Sequence, residues 1–229
     1  MFENLTVLTC NFNNSEITLE MLRSLYITID YPLNVTIMDN STFKKLNIKY
    51  NSFFNIIDNT NFKLTPNYNQ VSKNHSASID YALKNIIKTD YVLLCDNDVI
   101  FKPATKKILT NKLYEQYDII GEINADVTPP ERLLPYFCFI NLKKVLKYNI
   151  NYFNNDLCIP EYSFKLFPNF ALFDTGYSFL QELRQNNFSI KQIYLNDYVT
   201  HFGHLSHSFY SNNSTIINNY KKISRQLYE

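Results

Sequence analysis

Short, mostly apolar runs that end in polar clusters dominate the first half of the chain. Leu5–Cys10 is followed by Asn11 to Asn14, Leu33–Met38 by Asp39-Asn40-Ser41, Phe53–Ile57 by Asp58-Asn59, and Tyr91–Cys95 by Asp96-Asn97-Asp98. Runs of this length without sustained polar alternation read as strands buried on both faces. Between them the apolar period changes. Ile17, Leu19, Met21, Leu22 and Leu25 suit a helix packed on a sheet, and Ile79, Tyr81, Ala82, Leu83, Ile86 and Ile87 trace a second apolar helical face from Ser76 to Thr89-Asp90. Strands alternating with helices predict an α/β fold whose mainly parallel central sheet is covered by helices.

The texture changes further on. The pattern predicts a helix over 106–116, strands over 118–123 and 136–141 separated by Pro129, Pro130 and Pro135, and a helix over 177–185 introduced by Asp174-Thr175-Gly176. A shorter strand over 192–195 leads to a loop bearing His201-Phe202-Gly203-His204, and the polar residues beyond about 210 read as a mobile tail. No repeat and no Pro/Gly/Ser-rich linker divides the chain, so one domain is expected over 1–229.

Charge narrows the partners. With 22 basic and 21 acidic side chains the formal net charge is +1, which leaves no field to draw in a polyanion, so nucleic acid is not expected. The opening MFENLTVLTC has no basic start with an apolar stretch, and no run is long enough to span a bilayer, so a soluble, cytoplasmic protein is expected. The cysteines at 10, 95, 138 and 158 form no CxxC pair and read as reduced thiols. Asn-x-Ser/Thr triplets such as Asn34-Val35-Thr36 follow from an Asn-rich composition and carry no argument for secretion.

The candidate chemistry lies where the strands end. Ligands of open parallel sheets bind beyond the carboxyl ends of the strands, and Asn11, Asp39, Asp96 and Asp98 all fall there. Carboxylates repel a diphosphate unless a hard cation stands between, so Asp-x-Asp beside a nucleotide calls for Mn²⁺ or Mg²⁺. The order of elements over Leu5 to Pro103, with the polar strand ends at Asn11 and Asp39 and an apolar strand running into Asp96-Asn97-Asp98, resembles the GT-A glycosyltransferases of the family-two kind.

That resemblance implies transfer of a sugar from a nucleotide-sugar, a UDP-sugar in the first instance, to a hydroxyl of a glycan, protein or other acceptor. Residues 1–103 would bind the nucleotide and 104–229 would build the acceptor side. Asp39 would hold uracil or ribose, Asn11 would approach the base, Asp96 would contact ribose or metal, and Asp98 would bind the metal. His201, or else His204, would complete the metal shell, and His75 would lie near the donor. Asp174 would be the general base of an inverting reaction. Only 3 glycines depart from the family's Gly-rich loops.

Each assignment has a bland counterpart. Asp and Asn favour turns, Asp174 suits a helix cap, and His201, His204 and His207 lack a cysteine that would suggest structural zinc. Arg132 and Glu131 read by default as a surface ion pair, with contact to acceptor or phosphate as the alternative. An apolar strand ending Asp-x-Asp also resembles the haloacid-dehalogenase phosphatases, whose chains open with that strand, whereas here it is the fourth. A catalytically silent nucleotide-sugar or glycan-binding module is the non-enzymatic alternative.

Overall fold

The apolar runs do form a sheet covered on both faces. The computed structural model describes residues 3–30, 33–41, 45–46, 54–59, 71–124, 131–152, 176–202 and 214–226. Strands β1 (Leu5–Asn11), β2 (Asn34–Asp39), β3 (Phe54–Asp58) and β4 (Tyr91–Leu94) coincide with the expected runs to within one residue at either end. Short strands follow at β5 (Val99–Phe101), β6 (Ile119–Gly121), β7 (Ile123–Asn124), β8 (Arg132–Leu133), β9 (Cys138–Asn141), β10 (Ile190–Gln192) and β11 (Val199–His201).

Among the described residues the central sheet has seven strands in the order β10-β6-β9-β4-β1-β2-β3. β1 runs parallel to β2 and β4, β2 to β3, and β10 to β6; β9 alone is antiparallel to its neighbours β4 and β6. The register sets Asn11 opposite Asp39, and Asp39 opposite Asp58. Three consecutive polar strand ends therefore share one rim.

Successive residues of each central strand feed opposite layers, as the two-residue period of a strand requires. Leu5, Val7, Leu93, Cys95 and Phe139 enter one apolar layer with Met21, Leu22 and Leu25 of helix α1 (Ser15–Ile29). Leu8, Cys10, Val92, Leu94 and Ile140 enter the other, with Ile79 of helix α2 (Val71–Tyr81). Burial on both faces explains why these runs lack polar alternation. Leu19 departs from the expected apolar face of α1, being 43% exposed.

Several boundaries differ for local reasons. α2 begins five residues before Ser76 and passes at Ala82–Ile86 into a π turn; its polar first turn carried no apolar period to reveal it. The helix expected over 106–116 is α3 (Pro103–Thr110), with proline in its first turn, where the missing N–H costs nothing. Lys112 then adopts φ 48°, ending the helix before a 3₁₀ turn at Leu113–Glu115. The stretch 118–123 divides at Glu122 between β6 and β7, and the strand expected over 192–195 lies instead at β10, with Leu195–Asp197 forming a 3₁₀ turn.

Helices α4 (Leu142–Lys147) and α5 (Tyr177–Gln185) follow β9 and close the second layer. The polar tail is corrected outright: residues Ser214–Gln226 form helix α6. Tyr220 of α6 is fully buried, donates its hydroxyl to the Val99 carbonyl at 3.1 Å, and packs with Ile17 and Ile100. Ile216, Ile217, Tyr220 and Ile223 follow a helical spacing that reading the stretch as a polar tail passed over; which surface Tyr220 docks on is settled by β5 and α1. No helix among the described residues is long and apolar enough to cross a membrane. Cys10, Cys95 and Cys138 are buried free thiols, and burial pushes all three above the ordinary thiol range; Cys158 lies outside the described residues.

Candidate active site

β4 delivers Asp96 and Asp98 to the carboxyl rim of the sheet. The chain turns at Asn97 and leaves as β5, which pairs antiparallel with β11 so that His201 sits opposite Val99. The Phe202 amide also donates to the Asp98 carbonyl at 3.1 Å. This two-stranded ladder, which sequence patterning had read as a loop around His201, carries the histidine to the aspartates. Asp96, Asp98 and His201 each offer one ligand atom, all within 4.8 Å of one another.

His201 Nε2 lies 3.2 Å from Asp98 Oδ1 and 3.8 Å from Asp96 Oδ2. Burial works against its charged form, but the hydrogen bond that the imidazole donates to Asp98 and the charges of Asp98 and Asp96 outweigh burial and the opposing Arg132, raising the imidazole above its usual range. On its other side the ring of Tyr136 stacks at 3.9 Å and 12°. That tyrosine was not singled out in the sequence, and no local pattern could have done so. Burial foremost, then the charge of Glu122, pushes its phenol up to about 12.

Two carboxylates at such separation repel by at least about 3 kcal/mol at an effective dielectric of about 20. The cluster therefore needs a positive charge, supplied either by protonated His201 or by a cation. Two carboxylate oxygens and one imidazole nitrogen suit a divalent ion, and the imidazole favours Mn²⁺ over Mg²⁺. The donor set thus fits such an ion.

His75 reaches in from α2, its Nε2 3.6 Å from Asp96 Oδ1. Of the residues expected around the site, His75, Asp96, Asp98 and His201 are thus brought together. Asp39 and Asn11 stand beside them on the neighbouring strand ends, both buried. Asp39 Oδ1 accepts from Asn11 Nδ2 at 2.9 Å and the Ser41 amide at 3.2 Å, and Oδ2 accepts from the Leu46 amide at 2.7 Å. A carboxylate offers about four acceptor positions, of which three are taken by donors among the described residues.

Asp174, His204 and His207 lie outside the described residues. The N-cap position of α5 belongs to Gly176, at φ 90°. Glu131 forms an ion pair with Arg184 at 2.6 Å, and Arg132 sits in β8 close enough for its charge to be felt at His201 and Tyr136.

No family model and no curated protein matches this sequence. Solved structures do match in fold. TarS 1-349 of S. aureus superimposes with a TM-score of 0.52 at 14% identity, covering 86% of this chain and 59% of that one. An active-site mutant of LgtC gives 0.52 at 11%, covering 83% and 73%. The mannosyltransferase PcManGT of Pyrobaculum calidifontis gives 0.53 at 13%, covering 83% and 54%. The chain therefore spans little more than half of two of these proteins. With its mostly parallel sheet flanked by helices, the fold is that of the GT-A glycosyltransferases.

Proposed function

We propose, on the GT-A fold and the Asp96/Asp98/His201 cluster at its carboxyl rim, that this chain transfers a glycosyl group from a nucleoside-diphosphate sugar to an acceptor hydroxyl, with a divalent cation. The cluster carries the reading, because its donor set suits such an ion and it adjoins the aligned ends of β1 and β2. Likeness adds support: TarS has been crystallised with UDP-GlcNAc, and PcManGT with GDP-Man and Mn²⁺. We favour a UDP-sugar and Mn²⁺.

In this reading Asp96, Asp98 and His201 would hold the cation, which when bound supplies Lewis-acid stabilisation of charge on the diphosphate. Asn11 and Asp39 would border the nucleoside, Asp39 with its remaining acceptor position toward a base or ribose donor. His75 would flank the donor from α2. Residues 1–103 would form the nucleotide half and 104–229 the acceptor half. The acceptor oxygen bonds to the anomeric carbon as the bond to the diphosphate oxygen breaks, its electron pair departing with the diphosphate. Asp174, two residues before the cap of α5, would take the hydroxyl proton, giving inversion.

Thermal shift with UDP or GDP, with and without Mn²⁺, followed by donor hydrolysis and transfer assays, tests this. The expected result is a nucleotide shift that requires Mn²⁺ and disappears in Asp98→Asn. Asp174→Asn should lose about 10²- to 10⁴-fold in turnover while keeping donor affinity. Indifference to nucleotides in both conditions sinks the proposal, and binding without any turnover points to a silent module.

A further inference from the structure

A buried chain of polar side chains runs from the Asp-x-Asp loop to the nucleoside edge. Asn97, the middle residue of the loop, donates from Nδ2 to Thr18 Oγ1 at 3.0 Å. Thr18 Oγ1 donates to Asn11 Oδ1 at 2.7 Å; the alternative acceptor, the Asn14 carbonyl, is more distant at 3.4 Å. Asn11 Nδ2 donates onward to Asp39 Oδ1 and Ser41 Oγ, both at 2.9 Å. Thr18, Asn11 and Ser41 are fully buried, and Asp39 is 2% exposed.

The direction of every bond follows from one end. An ionised Asp39 only accepts, so Asn11 must face it with its amide nitrogen and turn its carbonyl to Thr18. The single hydroxyl proton of Thr18 goes to that carbonyl, which leaves its oxygen to accept from the Asn97 amide. The orientation of the Asn97 amide is thereby fixed by the carboxylate at the end of β2. Nothing in the sequence marks Thr18, which reads as one more polar position in the first turns of α1.

We propose that Thr18 is a positioning residue for the cation site. Its hydroxyl pins Asn97, and Asn97 sets how the carboxylates on either side of it, Asp96 and Asp98, are presented to one ion. Because the same hydroxyl also holds Asn11, the cation loop and the nucleoside edge form one hydrogen-bonded unit. This rests on reading Asp96, Asp98 and His201 as a cation site.

Three variants, titrated with Mn²⁺ in the absence of nucleotide and followed by the electron paramagnetic resonance of the free ion, test the role. Thr18→Val keeps the size and removes the hydroxyl, and is expected to bind Mn²⁺ roughly 10-fold more weakly, in line with the loss of a partner that orients a ligand. Thr18→Ser keeps the hydroxyl and should stay within about 2-fold of the wild type, a rescue that a packing role for the methyl group would not produce. Asn97→Ala, at a less buried position, should weaken Mn²⁺ roughly 10-fold without disturbing the Thr18–Asn11 bond, and keeps the test open should Thr18→Val not fold. Wild-type affinity in a folded Thr18→Val or in Asn97→Ala overturns the proposal alone. Wild-type protein that binds no Mn²⁺ overturns the cation site and this role with it.

Discussion

Replacing Tyr220 should destabilise the protein far more than its place in a polar C-terminal stretch suggests. Its ring is fully buried beside Ile17 and Ile100 and meets Phe202 edge-on at 4.7 Å. Tyr220→Phe keeps that packing and deletes the hydrogen bond to Val99, leaving a buried carbonyl in want of a donor, a loss of about 1–2 kcal/mol. Tyr220→Ala adds the cavity of a truncated aromatic and should cost about 3–5 kcal/mol. Among the described residues, the other polar ties of α6 are weaker. Lys221–Glu16, at 2.6 Å, is an exposed pair, and Ser224 to Glu20, at 3.2 Å, is a single hydrogen bond. Urea unfolding followed by far-UV circular dichroism measures the global loss, and hydrogen exchange over 214–226 shows whether α6 detaches before the rest. Val99 directly follows Asp98 and pairs with His201, so both variants should also weaken Mn²⁺ binding, Ala more than Phe. Unfolding of Tyr220→Ala within about 1 kcal/mol of the wild type, with its helix still protected, would refute this anchoring role for Tyr220.

Other positions give independent tests. Tyr136→Phe preserves the ring stacked on His201 and should retain Mn²⁺ affinity, whereas Tyr136→Leu should lower it several-fold, measured by the same titration. At Gly176 an added Cβ would lie 2.1 Å from the Leu133 carbonyl oxygen at φ +90°, so Gly176→Ala should lose at least about 2 kcal/mol in urea unfolding. Around Asp118 burial opposes the charged carboxylate, but Lys144 at 2.5 Å and Ser189 prevail and hold its carboxyl below the ordinary aspartate range. A carboxyl depressed in the folded state stabilises above its unfolded pKa and loses that contribution as pH falls through the folded value. The stability difference between wild type and Asp118→Asn should therefore persist at neutral pH and shrink below about pH 4, read from urea midpoints across the acid range.

Much of the architecture from β1 to β4 can be read from residues close together in the chain. β1, β2 and β4 appear as apolar runs because both faces of each are buried, and the acids appear at their ends because a parallel sheet gathers its carboxyl termini on one rim. Asn11, Asp39, Asp96 and Asp98 are found this way, since the run and the polar residue that ends it are contiguous. His201 could be named through family resemblance, but its delivery could not, because β11 is three residues long and owes its existence to β5. Tyr136 and Thr18 carry no local signature, whereas Tyr220 shares a helical spacing with Ile216, Ile217 and Ile223 that was legible in the sequence.

The sequence alone therefore determined the layered α/β sheet and the acids at its edge, since burial on two faces imposes an apolar period that survives without knowledge of partners. Tertiary structure decided which imidazole meets those acids, which ring backs it, which hydroxyl pins the loop between them and that the polar C-terminal stretch docks as a helix. Each of these depends on a contact between distant segments, where a single hydrogen bond or one buried ring selects the partner, and a period along the chain says that a face is buried without saying against what.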